Sequence, residues 1–369
     1  MKAVRLHWLF LFRNLKKGRT FAGHKSQVKI YKRVLTFAVS HLPFARLYFM
    51  AELKNEFSWS PSRHRMFESC QRQYYYNYYG SWGGWYDSAD DLTRLVYRLK
   101  KMTTLPQLVG TVVHDAISRV LKAVQSGRDV PLKTAETYAI QLFDRHIDDS
   151  LEKRWLKSAS KHTNLFEHYY GQDLDVDAGR ARVVENINAF FESGAFKALQ
   201  DTPTDQWLSV EALTSFLFNA TKLWVALDVA VRQNDGVAIF DWKTGREREA
   251  DRLQLAVYAL YASTVWGVSI PHLQLQDVYL QAGVVSSVRV DTDVLDETRQ
   301  IICESIAQMR ERLDDPNANT ASIDAFPMTE NRSTCASCSF KAICFPNNPT
   351  VSPLPKSSPQ EKPTQLSLF

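Results

Sequence analysis

At 369 residues and 45% hydrophobic content, the chain has room for one large domain or two small ones around a real core. The net charge of +5 belongs to residues 1–49, which carry eleven Lys or Arg and no acid; the remainder holds 34 basic against 40 acidic side chains, so bulk charge makes no case for a nucleic-acid partner. No long apolar run is free of charge, so nothing reads as a membrane span, and residues 6–15 lack a convincing cleavage site for a secretory signal.

The composition breaks at Met50-Ala51-Glu52, which reads as an ordinary protein start. Residues 1–49 are therefore expected to be upstream reading frame or a dispensable basic extension, with an organelle transit peptide as the other reading. Within them Gly18 to Lys25 approaches a P-loop, but His24 separates Gly23 from Lys25. The chain is thus expected to carry no motor of its own. A helix is predicted over 60–79, opened by Ser60 and Pro61. It leads into a dense aromatic run: Tyr74, Tyr75, Tyr76, Tyr78, Tyr79, Trp82, Trp85 and Tyr86. Most of these rings are expected to pack around that helix, with a few left to stack on bases of a single strand. Arg63, Arg65 and Arg72 are candidate phosphate contacts.

Gly110-Thr111-Val112-Val113-His114 leads into a helix ending near residue 124, and 125–205 reads as a helical insertion. The pattern then changes to strands at 207–218, 223–231 and 237–242, with turns at Asn219-Ala220 and Asn234-Asp235-Gly236. Helical spacing returns over 252–262. Two more strands follow at 273–281 and 285–290, then a helix over 295–313, in which Cys303 is expected to be core. This order predicts an α/β fold with a mixed central sheet flanked by helices. The tail, 347–369, is Pro-rich and expected to be disordered.

Asp241 and Lys243 are two apart on a strand, so both should project into one site. An isolated Asp-x-Lys is more often an ordinary ion pair at a strand end. Here it ends the apolar strand Val237-Ala238-Ile239-Phe240, and Asp228 lies in the equally apolar Leu227-Asp228-Val229. Carboxylates set in buried strands need partners or a metal, and two of them suit Mg²⁺ or Mn²⁺. With a lysine beside them they make a plausible phosphodiester-cleaving set.

The run Ala238-Ile239-Phe240-Asp241-Trp242-Lys243-Thr244-Gly245 resembles motif III of the RecB-type branch of the PD-(D/E)XK nucleases. Asp228 resembles the family's motif II aspartate, and Gln254 and Tyr258 its Q-x-x-x-Y pair, on one helical face. His114 resembles its motif I histidine. One departure is Val225, where the family often has glycine. The resemblance covers about residues 58–346 and implies a RecB-like nuclease domain over 50–346. It implies a DNA exonuclease, preferring single strands, in repair or replication-linked processing. By the same resemblance His114, Asp228, Asp241 and the Trp242 carbonyl hold the metal, and Gln254 and Tyr258 steady the site or contact DNA. Lys243 positions or activates water.

Five cysteines are an odd number, and three of them form Cys335-x2-Cys338-x5-Cys344. This fits a metal or cluster site in a reducing compartment better than disulfides. A C-x-x-C alone is shared by zinc and redox sites. With Cys70 far upstream, the set resembles the iron–sulfur RecB-like nucleases, including AddB and the CRISPR-associated adaptation nucleases. That resemblance implies a [4Fe–4S] cluster on Cys70, Cys335, Cys338 and Cys344, with the C-terminal cluster part at about 315–346. The final Gln365-Leu366-Ser367-Leu368-Phe369 resembles the bacterial sliding-clamp binding pentapeptide. That implies clamp recruitment on a long tether, a cytoplasmic setting and a possible helicase partner. The alternatives are a CRISPR-adaptation-type nuclease and a non-catalytic DNA-binding scaffold subunit.

Overall fold

The computed structural model describes residues 53–346 apart from position 234; the basic extension and the clamp-type pentapeptide lie outside the described residues. A short strand β1 (Ser58–Trp59) precedes helices α1 (Pro61–Ser69) and α2 (Gln71–Tyr75). Ser60 caps α1 by accepting the Arg63 N–H at 3.2 Å, with Pro61 in the first turn. The single helix expected over 60–79 is interrupted. Cys70 is extended (φ −163°, ψ 111°), and α2 continues as a π turn over Tyr76–Gly80. Helical spacing on both sides of Cys70 conceals that break from a periodicity reading.

Next come α3 (Asp91–Lys100), β2 (Met102–Thr103) and the long α4 (Leu105–Gln125). Helix α4 begins at Leu105 rather than Gly110, because Thr104 and Gln107 close a capping box with Pro106 in the first turn. The stretch expected to be a helical insertion holds α5 (Leu132–Leu151), β3 (Asn164–Leu165), α6 (Phe166–Tyr170), α7 (Val176–Glu192) and α8 (Gly194–Gln200). Of these, α5 and α7 pack on α4 and on each other.

The remaining strands are β4 (Trp207–Phe218), β5 (Thr221–Gln233) and β6 (Gly236–Lys243), then, after α9 (Glu249–Val265), β7 (Leu273–Tyr279) and β8 (Val284–Val288). Helices α10 (Thr292–Glu311), α11 (Arg332–Ala336) and α12 (Lys341–Cys344) complete the described chain. Asn219 and Ala220 turn β4 into β5 with φ of 46° and 60°, as a two-residue hairpin requires. β5 pairs antiparallel with β4 and β6, β6 runs parallel to β7, and β8 closes the far edge antiparallel. The parallel β6 and β7 are joined through α9, a crossover connection. β1 joins parallel to the start of β5, at Lys222 and Leu223. The sheet is therefore mixed.

Apolar side chains cover both faces of the sheet. Val229, Val231, Ala238, Phe240 and Trp242 pack under α4, α5 and α7. Leu223, Leu227, Ile239 and Leu275 pack against α9, α10 and the rings of Phe67 and Tyr74. Val225, where the resemblance led one to expect glycine, is buried in that second cluster. Cys303 is exposed rather than core. The buried stripe of α10 is Leu295, Thr298, Ile302, Ser305 and Met309, and Cys303 falls just off it. From Asn55 onward the described residues form one compact unit. Among the described residues no helix is long and apolar enough to cross a membrane.

Candidate active site

The site is made by two strands parting. The β5–β6 ladder ends at Val229–Phe240, so the next residues, Asp228 and Asp241, stand at the fork. Asp228 Oδ2 accepts the backbone N–H of Trp242 at 2.8 Å, taking over a donor that the ladder leaves free. Both carboxylates are buried, at 8% and 3% exposure. Burial and the neighbouring Asp228 charge push the Asp241 carboxyl up to about 6, against the opposing pull of Lys243.

Asp241 and Lys243 do share a face: Nζ lies 2.5 Å from Asp241 Oδ2. Helix α9 ties them together. Gln254 accepts from Lys243 Nζ at 3.2 Å through Oε1 and donates through Nε2 to Asp241 Oδ1 at 3.1 Å. The Tyr258 hydroxyl lies 2.9 Å from the same Oδ1 and also contacts the Ala226 carbonyl, with one proton to give to either. Burial opposes the charge on Lys243, but Asp241, Asp277 and Asp251 outweigh it and raise its pKa. The ammonium therefore stays charged at neutral pH, which fits positioning and charge stabilisation rather than proton abstraction.

Helix α4 brings His114 to the fork from the opposite side. Gly110, one turn earlier, sits against the loop after β6; a Cβ there would meet Thr244 Oγ1 at 3.2 Å, so glycine allows the close approach. His114 Nδ1 lies 3.4 Å from Asp228 Oδ2 and 3.7 Å from Glu211 Oε1. Burial disfavours its charge, but those two carboxylates dominate and raise its pKa well above the ordinary value.

Glu211 is the residue that the sequence reading missed. Its carboxylate, that of Asp228 and the His114 imidazole each offer a ligand atom within 4.8 Å of the others. Glu211 has φ 46°, a left-handed backbone uncommon outside glycine, and its buried Oε1 has no hydrogen-bond partner. A signal for it existed. The Asn219-Ala220 turn fixes the hairpin register, with Val210 opposite Val229 and Ala212 opposite Leu227; Glu211 thus falls opposite Asp228. Asp251 and Asp277 were also missed, at 4.0 and 3.6 Å from Lys243 Nζ. A cavity of about 420 Å³ is lined by His114, Asp228, Asp241, Lys243, Asp251 and Gln254, together with Arg246 and Arg248.

Other candidates fall elsewhere. Arg63 donates to the Ser58 carbonyl and lies over the Tyr78 ring, and Arg72 donates to the Phe326 carbonyl; both brace the fold. Tyr74 and Tyr76 are buried, whereas Trp82, Trp85 and Tyr86 are exposed. The cysteine segments do come together. Burial, helped by the nearby Cys344, Cys70 and Cys335 and opposed by the Phe340 backbone hydrogen bond, pushes the Cys338 thiol up to about 12. The C-terminal segment is held by Tyr170, which donates to the Ser339 carbonyl at 2.8 Å, and by Lys341, whose ammonium lies over the Phe166 and Tyr170 rings.

No curated protein shows significant similarity to the chain. The sequence model of the PD-(D/E)XK nuclease superfamily, however, matches residues 58–345, a span containing the forked strands, the lysine and both helices that converge on them, and the chain belongs to that superfamily.

Proposed function

We propose that the protein is a metal-dependent DNA exonuclease acting on single strands. The observation that carries this reading is the fork itself. Two buried carboxylates and a histidine face one cavity, beside a lysine bonded to Asp241 and Gln254 and kept charged by the surrounding carboxylates. Glu211 Oε1, which accepts no hydrogen bond and has only the long 3.7 Å ion pair with His114, suits a divalent cation shared with His114 and Asp228. His114, Glu211, Asp228 and Asp241, with the Trp242 carbonyl, would hold Mg²⁺ or Mn²⁺, which supplies Lewis-acid polarisation of the phosphate and an activated water. Gln254 and Tyr258 fix the Asp241 carboxylate, Lys243 places its charge where the phosphate gains negative charge, and Arg246 and Arg248 offer phosphate contacts at the rim. Exonucleolytic action and single-strand preference rest on the RecB-type resemblance.

The cysteines support a [4Fe–4S] cluster. Cys344, Cys70 and Cys335 lie near enough to Cys338 to act on it electrostatically, and its raised pKa means that a bound cation would be needed to hold it as the thiolate. Cys70, Cys335, Cys338 and Cys344 would hold it as a structural staple. The pentapeptide 365–369 would recruit a bacterial sliding clamp, with a helicase as a possible further partner in the cytoplasm. Digestion of single-stranded DNA labelled at either end, with and without Mn²⁺, tests the activity. Progressive shortening from one labelled end is expected. Internal cuts at early times would overturn the exonuclease assignment.

A further inference from the structure

One buried acid beside the site has no part in the function just described. Asp277 lies mid-strand on β7, in register with Asp241 on the parallel β6. It is 2% exposed, and its Oδ1 has no hydrogen-bond partner. The nearest cation to that oxygen is Lys243 Nζ, at 3.6 Å. Asp251, the third carboxylate around the lysine, is already engaged. Its Oδ2 accepts from the Arg248 N–H at 3.1 Å and the Tyr279 hydroxyl at 3.1 Å, and its Oδ1 stands 4.0 Å from Nζ. After Asp241, Asp277 thus offers the nearer carboxylate oxygen to the lysine, and that oxygen is buried and accepts no hydrogen bond.

Asp241 meanwhile has two duties that conflict. Its Oδ2 sits 2.5 Å from Lys243 Nζ and its Oδ1 meets Gln254 and Tyr258, while the function proposed above asks the same carboxylate to hold the cation. A cation bound at the fork and the lysine compete for one carboxylate. A lysine displaced from it needs a second buried partner, because an unpaired buried ammonium is costly.

We propose that Asp277 is a positioning residue that receives the Lys243 ammonium when Asp241 turns to a divalent cation. It does so without touching the cation itself. The transfer needs only a short movement, since Nζ already lies 2.5 Å from the Asp241 carboxylate and 3.6 Å from that of Asp277, with Gln254 Oε1 bonded to it at 3.2 Å. This inference rests on reading the fork as a divalent-cation site, and its test does not require DNA cleavage.

The test is a double-mutant cycle on Mn²⁺ affinity, measured by titration calorimetry at pH 8 with wild type, Asp277→Asn, Lys243→Met and the double variant. With Lys243 present, Asp277→Asn should weaken Mn²⁺ binding by about three- to tenfold, within the lower part of the range of coupling between groups in contact. With Lys243→Met in place, the same change should alter affinity by less than about twofold. Equal weakening in both backgrounds would mean that Asp277 acts only as a distant negative charge, and no weakening in either would mean that it does nothing; both overturn the proposal. Asp277→Ser serves as the second variant, should Asp277→Asn fail to fold. Mn²⁺ binding with the expected coupling but no DNA cleavage would uphold this inference while defeating the nuclease activity.

Discussion

At the scale of single residues, competition for Asp241 decides the behaviour of the site. Lys243, Gln254 and Tyr258 all address its carboxylate. Lys243→Ala should lower the rate of DNA hydrolysis by about 10²–10³-fold, the cost of losing one preorganised charge-stabilising donor; single-turnover kinetics check it, and a change under about threefold would remove the lysine from the chemistry. Tyr258→Phe deletes the hydroxyl between Asp241 and the Ala226 carbonyl and should weaken Mn²⁺ affinity while leaving the fold intact by circular dichroism. Protons also compete at this fork. Asp241 titrates near 6 and His114 is held protonated well above its ordinary range, whereas a ligand must be deprotonated. Mn²⁺ affinity should therefore rise with pH from about 6 upward, and keep rising while His114 loses its proton, with proton release visible as a buffer-dependent heat. Affinity independent of pH would contradict the ligand set. Asp277 gives a stability test of opposite sense. Burial pushes its carboxyl up to about 7, above the unfolded value of about 3.9. The folded state binds this proton more tightly, so stability falls as pH rises from about 4 to about 7. Asp277→Asn should accordingly raise the melting temperature at pH 8 by about 2–4 °C and change it little at pH 4; a lower melting temperature at pH 8 would refute this.

At the scale of elements, the sequence is most legible where the apolar period is regular. Residues 207–218 emerge as β4 with the expected bounds, and 252–262 lies inside α9. Legibility fails where capping or a backbone break outranks periodicity. The start of α4 is set by Thr104, Pro106 and Gln107, and Cys70 interrupts α1 and α2 through its backbone angles alone. The site residues divide in the same way. Asp228, Asp241 and Lys243 stand out because charge interrupts an apolar strand, and Gln254 and Tyr258 through four-residue spacing on a helix. Asp277 gives the same signal within Leu275-Gln276-Asp277-Val278, and that logic extended to β7 would have found it. Glu211 needed a further inference, the hairpin register. His114 is placed by α4, whose approach to the fork depends on Gly110 lying against Thr244. No spacing rule reads that contact from sequence.

At the scale of the whole described unit, segments far apart in sequence meet at the sheet. β1 adds to the sheet at β5, the Trp59 indole donates to Ser305 Oγ at 2.9 Å, and Arg72 bonds to the Phe326 carbonyl. The four cysteines would lock this closure. Anaerobically purified protein should show broad absorbance near about 400 nm with about four irons per chain, and stoichiometric zinc without iron would overturn the cluster. The central claim remains the forked site as a cation-dependent DNA-cleaving centre. Its most direct test is hydrolysis of end-labelled single-stranded DNA by EDTA-treated protein after Mn²⁺ is restored, comparing wild type with Asp241→Ala and Lys243→Ala. The account predicts that Mn²⁺ restores cleavage to wild type and to neither variant. Cleavage that persists in EDTA, or survives both substitutions, would contradict it.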